Sequence, residues 1–195
     1  MTAGRLFFPA EELKINLREV ASRLRSDEGT AGGEEASAAL AALLPAVCCR
    51  GAFLRVPVRR GEDGLLDFGF GVVRSFDLTR NLSGCSEAFL FAVTLGAGVD
   101  RLLLRLSHTS PAKHFLYDGL ASALAEAACD RAEEAFEKGI PCRPRFSPGY
   151  GDLPLSFQPA LLAALDAGKL AGITLNRSLL MSPMKSITAI VGILP

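Results

Sequence analysis

Ten residues from Arg145 to Pro154 read Arg-Phe-Ser-Pro-Gly-Tyr-Gly-Asp-Leu-Pro and hold two prolines and two glycines. No helix or regular strand accommodates that density. Proline removes a backbone donor and fixes φ, while glycine opens φ > 0. The stretch is therefore a loop held in one shape, with backbone N–H and C=O groups presented to whatever lies against it. Arg145 adds a planar cation suited to a carboxylate or phosphate. Tyr150 adds a flat face and a hydroxyl. Two readings stand side by side: a connector whose arginine pairs with a nearby acidic residue, and a ligand-binding loop.

The 195 residues are enough for one domain with a sizeable core, or one domain and a small appendage. Leu13, Ile15, Leu17, Val20 and Leu24 give an apolar stripe, with Lys14, Arg18 and Arg23 mostly opposite, which predicts an amphipathic helix over 11–25. A glycine-rich acidic break follows over 26–35. Ala36–Leu44 is then a second helix, stopped by Pro45. Residues 1–50 thus read as an N-terminal helical segment packed on a main domain over 51–195, or as a docking surface for a partner.

Alternation over Ala52–Val58 predicts a strand with Leu54, Val56 and Val58 facing a core; Pro57 suggests an edge position. Leu65–Val73, interrupted by Gly69 and Gly71, is a second strand. The turn Arg60–Gly64 joins the two as a hairpin. Asp77–Leu82 is a short helix. Ala88–Leu95 is a buried strand with Phe89, Phe91, Val93 and Leu95 on one face. Gly96-Ala97-Gly98 turns the chain into a helix over Val99–Leu106, with Asp100 suited to its start. That turn has too few glycines, and no following Lys-Ser/Thr pair, for a phosphate loop.

Pro111–Lys138 is the longest helix, with Leu116, Leu120, Ala123, Leu124 and Ala127 on its core face. Ser122, Glu126 and Asp130 follow one another at i, i+4 spacing on one side of it. The two carboxylates are either a solvated face or partners of the arginine loop. After the loop come a helix over Ser156–Ala167 ending at Gly168, a short strand over Ile173–Asn176, an irregular segment around Met181 and Pro183, and a final strand over Ser186–Ile193. In that strand Ile187, Ala189 and Val191 face one way. The expected class is α+β: a twisted mixed or antiparallel sheet with packed helices.

Lys+Arg and Asp+Glu both number 21, and this zero balance argues against a general nucleic-acid binder. Glu11, Glu12 and Lys14 interrupt any apolar leader, and Ala88–Val99 is too short and glycine-rich to span a bilayer, so no membrane role and a cytoplasmic location are expected. Cys48, Cys49, Cys85, Cys129 and Cys142 are odd in number and lack metal-ligand spacing, which reads as free thiols, mostly buried. His108 and His114 form no metal or catalytic pattern.

Three segments carry a family likeness. Arg145-x-x-x-Gly149-Tyr150 resembles the Arg-x-x-x-Gly-Tyr signature of the activation (reactivation) domain of cobalamin-dependent methionine synthase. Ser178-x-x-Met181-x-Pro183-x-x-Ser186 resembles that family's Ser-x-x-Met-x-Pro-x-x-Ser segment, and Asp118-x-Leu120-Ala121 opens a similar alanine- and glutamate-rich helix. Order and spacing agree over roughly residues 85–193. The likeness is to the short, stand-alone form of the domain. It implies S-adenosylmethionine as ligand, with Arg145 on its carboxylate, the backbone around Ser147 and Gly149 hydrogen-bonding it, and Tyr150 near the adenosine or the corrin edge. The family's helix glutamate falls at Ser122 here, with Glu126 one turn later as the acidic contact. Also implied are a cobalamin held by a methionine synthase lacking this domain, and a flavodoxin-type electron donor. The chain would then be one component of a methyltransferase system, supporting reductive remethylation of cob(II)alamin in trans, and not a complete enzyme. The rival readings are a docking module for a corrinoid protein with no ligand of its own, and an independent enzyme, for which no nucleophile–base pair or metal site is visible.

Overall fold

The computed structural model describes residues 2–17, 20 and 30–195. An antiparallel four-stranded sheet forms the centre, in the order β1-β2-β6-β9. Its strands are β1 (Gly4–Phe8), β2 (Cys49–Pro57), β6 (Glu87–Thr94) and β9 (Ser186–Ile193). Strand β6 pairs along its whole length with β2 on one side and β9 on the other, with Phe91 opposite Phe53 and Ala189. Both faces of β6 are covered, so its sequence Glu-Ala-Phe-Leu-Phe-Ala-Val-Thr is almost continuously apolar.

Alternation along β6 sends Phe89, Phe91 and Val93 into one core and Ala88, Leu90 and Ala92 into another. The first core lies under α4 (Pro111–Glu137) and α1 (Thr30–Leu43). There Phe136 meets Phe53, Phe89 and Phe91 at ring separations of 5.6, 4.8 and 5.5 Å. The buried alanines 121, 125, 128 and 132 let α4 lie close to the sheet. The second core is closed by α2 (Phe76–Asn81), by α5 (Gln158–Ala164) and by a three-stranded sheet of β3 (Arg59–Arg60), β4 (Leu65–Asp67) and β5 (Val72–Arg74). Phe68, Phe70 and Phe157 cluster within it, 5.7–6.0 Å apart.

Further elements are α3 (Ala97–Thr109), α6 (Ala167–Leu170) and a small hairpin of β7 (Thr174–Leu175) and β8 (Met181–Ser182). The Ser182–Pro183 peptide is cis. All five cysteines are free, and Cys49, Cys85 and Cys129 are buried. Burial pushes the Cys49 thiol up to about 12, with Cys48 adding to the shift. Among the described residues, no helix is long and apolar enough to cross a membrane.

The structure corrects several expectations. Gly4–Phe8 forms a strand of the central sheet, so the N-terminal segment is not wholly helical. The helix expected over 11–25 does not begin there. Ala10–Glu12 is a 3-10 turn, 13–16 are irregular, and Leu17 and Val20 are helical; Arg18, Arg23 and Leu24 lie outside the described residues. Leu13 and Val20 still reach the first core. Helix α1 starts at Thr30, inside the expected break. Packing of Ala36, Ala39 and Leu43 outweighs the roughly 1 kcal/mol that each early glycine costs.

Strand β2 is internal, despite Pro57. The register of β1 ends opposite Phe53, so the missing N–H of Pro57 faces no partner strand. The strand expected over 65–73 is two strands, because Gly69 turns the chain at φ 80° and donates its N–H to Asp67 Oδ1 at 2.7 Å. The partner of β4 across the Arg60–Gly64 turn is Arg59–Arg60, not β2. Asp166, at φ 48°, stops α5, and Gly168 lies inside α6. The Met181 segment is half of the small hairpin, not irregular.

Candidate ligand-binding site

The loop after α4 first runs beside β9. Phe146 and Ile190 exchange backbone hydrogen bonds of 2.9 Å, and Arg143 N–H donates to the Gly192 carbonyl at 2.8 Å. Between them Arg145 points at α4. Its Nη1 donates to Asp130 Oδ1 at 2.7 Å and to Glu133 Oε1 at 2.9 Å, and its Nη2 donates to Glu126 Oε2 at 2.8 Å. About two turns of helix thus present carboxylates at i, i+4 and i+7 to one guanidinium. Burial disfavours the Arg145 charge, but the bonds to Asp130 and Glu133 outweigh it and hold its pKa above the ordinary value. Burial pushes Glu133 up, with Arg145 pulling the other way. Among the described residues, three of the five guanidinium N–H donors are engaged and two are not.

Beyond Arg145 the loop folds on itself. Tyr150 N–H donates to the Ser147 carbonyl at 3.1 Å, Leu153 N–H to Tyr150 at 3.0 Å, and Gly149 N–H to Leu153 at 2.9 Å. Gly149 sits at φ 93°, which only glycine adopts easily. Asp152 closes the loop against α2. It accepts from the Phe76 N–H at 2.7 Å, the Asp77 N–H at 3.1 Å and the Ser75 hydroxyl. The Ser75 hydroxyl and the α2 amides hold the Asp152 carboxyl below the usual carboxylate range. Gly151 fits where a β-carbon would stand 2.5 Å from Asp77 Oδ2.

A third segment straps across the same region. Lys185 Nζ pairs with Asp118 at 2.8 Å and donates to Ser122 Oγ at 2.9 Å, and Met184 N–H donates to Asp100 Oδ2 at 2.8 Å. Ser122 therefore anchors the strap. Asn176 Oδ1 receives the Ser178 and Leu180 amides and shapes the hairpin tip.

These segments enclose a cleft of about 610 Å³. Arg145, Ser147, Tyr150 and Glu126, all expected from sequence, line it together. Gly149 does not; its N–H is taken by Leu153 and it shapes the turn instead. Asp130, read as one of two carboxylates on the helix face, turns out to hold Arg145. Gln158, Met184 and Thr188 also line the cleft and were not singled out from sequence. Thr188 donates to Gln158 Oε1 at 3.3 Å, a buried polar pair whose partners lie 30 residues apart. The only available signal was the polar threonine within the apolar final strand. The rim is apolar and outward-facing, with Tyr150, Leu180 and Met184 exposed to 69%, 60% and 64%.

The antiparallel sheet and its long covering helix match the fold of the methionine synthase reactivation domain. The chain is similar in structure to the MetH reactivation domain crystallised with AdoHcy: TM-score 0.74 at 18% identity, covering 100% of this chain and 79% of that one. No family model and no curated protein matches the sequence.

Proposed function

We propose that this protein binds S-adenosylmethionine in the cleft between the Arg145 loop, α4 and the Met181–Lys185 strap. In this role it serves as an activation subunit for a cobalamin-dependent methionine synthase that lacks such a domain. The observation that carries the reading is the convergence of the Arg145 loop, the segment bearing Met181 and Ser186, and Glu126 of α4 on one cleft, whose volume suits an adenosyl ligand. The similarity to a domain crystallised with AdoHcy supports it.

In this reading the chain binds and orients. The unengaged N–H donors of Arg145 take the ligand carboxylate. Backbone groups around Ser147 help hold the ligand, and Gly149 keeps the turn in shape. Tyr150 lies over the adenosine or against the corrin edge, and Glu126 faces the cationic end. The cobalamin of the partner supplies the metal centre that takes the methyl group, and a flavodoxin-type donor supplies the electron. Positioning of the sulfonium methyl is this chain's contribution. The site belongs to a cytoplasmic, reducing setting. Calorimetric titration with S-adenosylmethionine tests the reading: saturable binding that is lost in Arg145→Ala supports it, and wild-type affinity in that variant rejects the site.

The exposed apolar rim favours a second reading, a docking module for a corrinoid protein with no ligand of its own. Complex formation with a purified corrinoid-loaded synthase, unchanged by S-adenosylmethionine, would favour it.

A further inference from the structure

We infer that the cleft selects its ligand by charge: it takes a cationic sulfonium in preference to the neutral thioether, and Glu126 sets that preference. This rests on the adenosyl-ligand reading above.

Glu126 and Arg145 are the only charged side chains that line the cleft among the described residues. Their charges do not cancel. Asp130 and Glu133, which are not in the lining, already pair with Nη1 of Arg145. Glu126 shares the same guanidinium through Nη2 and stays half exposed on the wall. Three carboxylates against one guanidinium leave an excess of two negative charges when all are ionised. The nearby cation, Lys185 of the strap, is paired with Asp118 of α4 and does not line the cleft.

S-adenosylmethionine and S-adenosylhomocysteine share the adenosine, the ammonium and the carboxylate. They differ by one methyl group and the positive charge on sulfur, so the ratio of their affinities isolates that charge. For an assumed separation of roughly 6 Å, between the near-surface and bulk-water limits, a unit charge facing a carboxylate shifts binding by about tenfold. Methyl departure leaves the bonding pair on sulfur, which becomes neutral, and the cleft then loses its hold on the product. The charge excess thus favours loading of the donor and release of what remains.

The test is calorimetric titration of the full chain with each of the two compounds, in wild type and Glu126→Gln, at low and high salt. If neither binds alone, it is repeated with the cobalamin-loaded partner. Tighter binding of S-adenosylmethionine by about tenfold, falling toward parity in Glu126→Gln, is expected. In the wild type the ratio should also shrink at high salt, a readout that needs no variant to fold. Equal affinities in the wild type, or a ratio that survives both Glu126→Gln and high salt, would overturn charge selection while leaving the adenosyl site standing. No binding of either compound under any condition would remove the site and the inference together.

Discussion

At its start the Arg145–Pro154 loop offers one guanidinium to three carboxylates of α4; at its far end it offers one carboxylate, Asp152, to two amides and a hydroxyl at the start of α2. Both ends are fixed by charge-assisted hydrogen bonds. The difference lies in the balance. At Asp152 the acceptor oxygens meet the donors of a helix N-terminus, and little field is left over. At Arg145 acceptors outnumber cations, so any one of them can be lost or redirected. The first arrangement is that of an anchor. The second is that of a site, redundant in its ties and still charged toward the cleft.

This contrast can be broken by experiment. Leu153 follows Asp152 into the second core and is 1% exposed. Leu153→Ala should cost about 3 kcal/mol in chemical denaturation, the largest effect, because it undoes the anchored end. Gly151→Ala combines a left-handed φ of 52° with a collision against Asp77, and should cost about 2 kcal/mol in the same assay.

Asp152→Asn should lower Tm at neutral pH. The folded-state pKa of Asp152 is depressed, so its contribution is present above the ordinary carboxylate range and is lost as pH falls through that depressed value. The Tm difference between wild type and variant should therefore close in acid; a difference independent of pH would show that the amide contacts are not the cause. Asp130→Asn should change stability by no more than about 0.5 kcal/mol, since Glu126 and Glu133 keep the guanidinium paired. A larger loss there would mean that Arg145 is an anchor like Asp152.

Local pattern made the centre of the molecule legible. The apolar run of β6, the alternation of β9 and the long period of α4 each announce their element, because both faces or one stripe must be buried. The loop announced itself through proline and glycine. What stayed hidden depends on distant partners. The strand Gly4–Phe8 is defined by its register against Cys49–Phe53, which five residues alone do not encode. The left-handed stop at Asp166 looks like any aspartate, so Gly168 was the more natural terminator to read.

At the site, helix spacing put Glu126 and Asp130 on one side of α4 but left open whether they form a solvated face or partner the arginine loop; in the fold both pair with Arg145. The role of Ser122 as the anchor of Lys185 was not legible, because the two residues meet only when the strap crosses α4. Gly149 was legible as special but not as internal to the turn; only the fold shows that its N–H is already taken.

The central claim is that the ligand occupies the cleft under the strap. Two of the three methionines, Met181 and Met184, line it, so 13C-methyl-methionine NMR during titration with S-adenosylmethionine reads the site directly. Saturable shifts of both cleft methyls, lost in Arg145→Ala, are the predicted result. Saturable binding that leaves both methyls unmoved would place the ligand elsewhere and contradict the account.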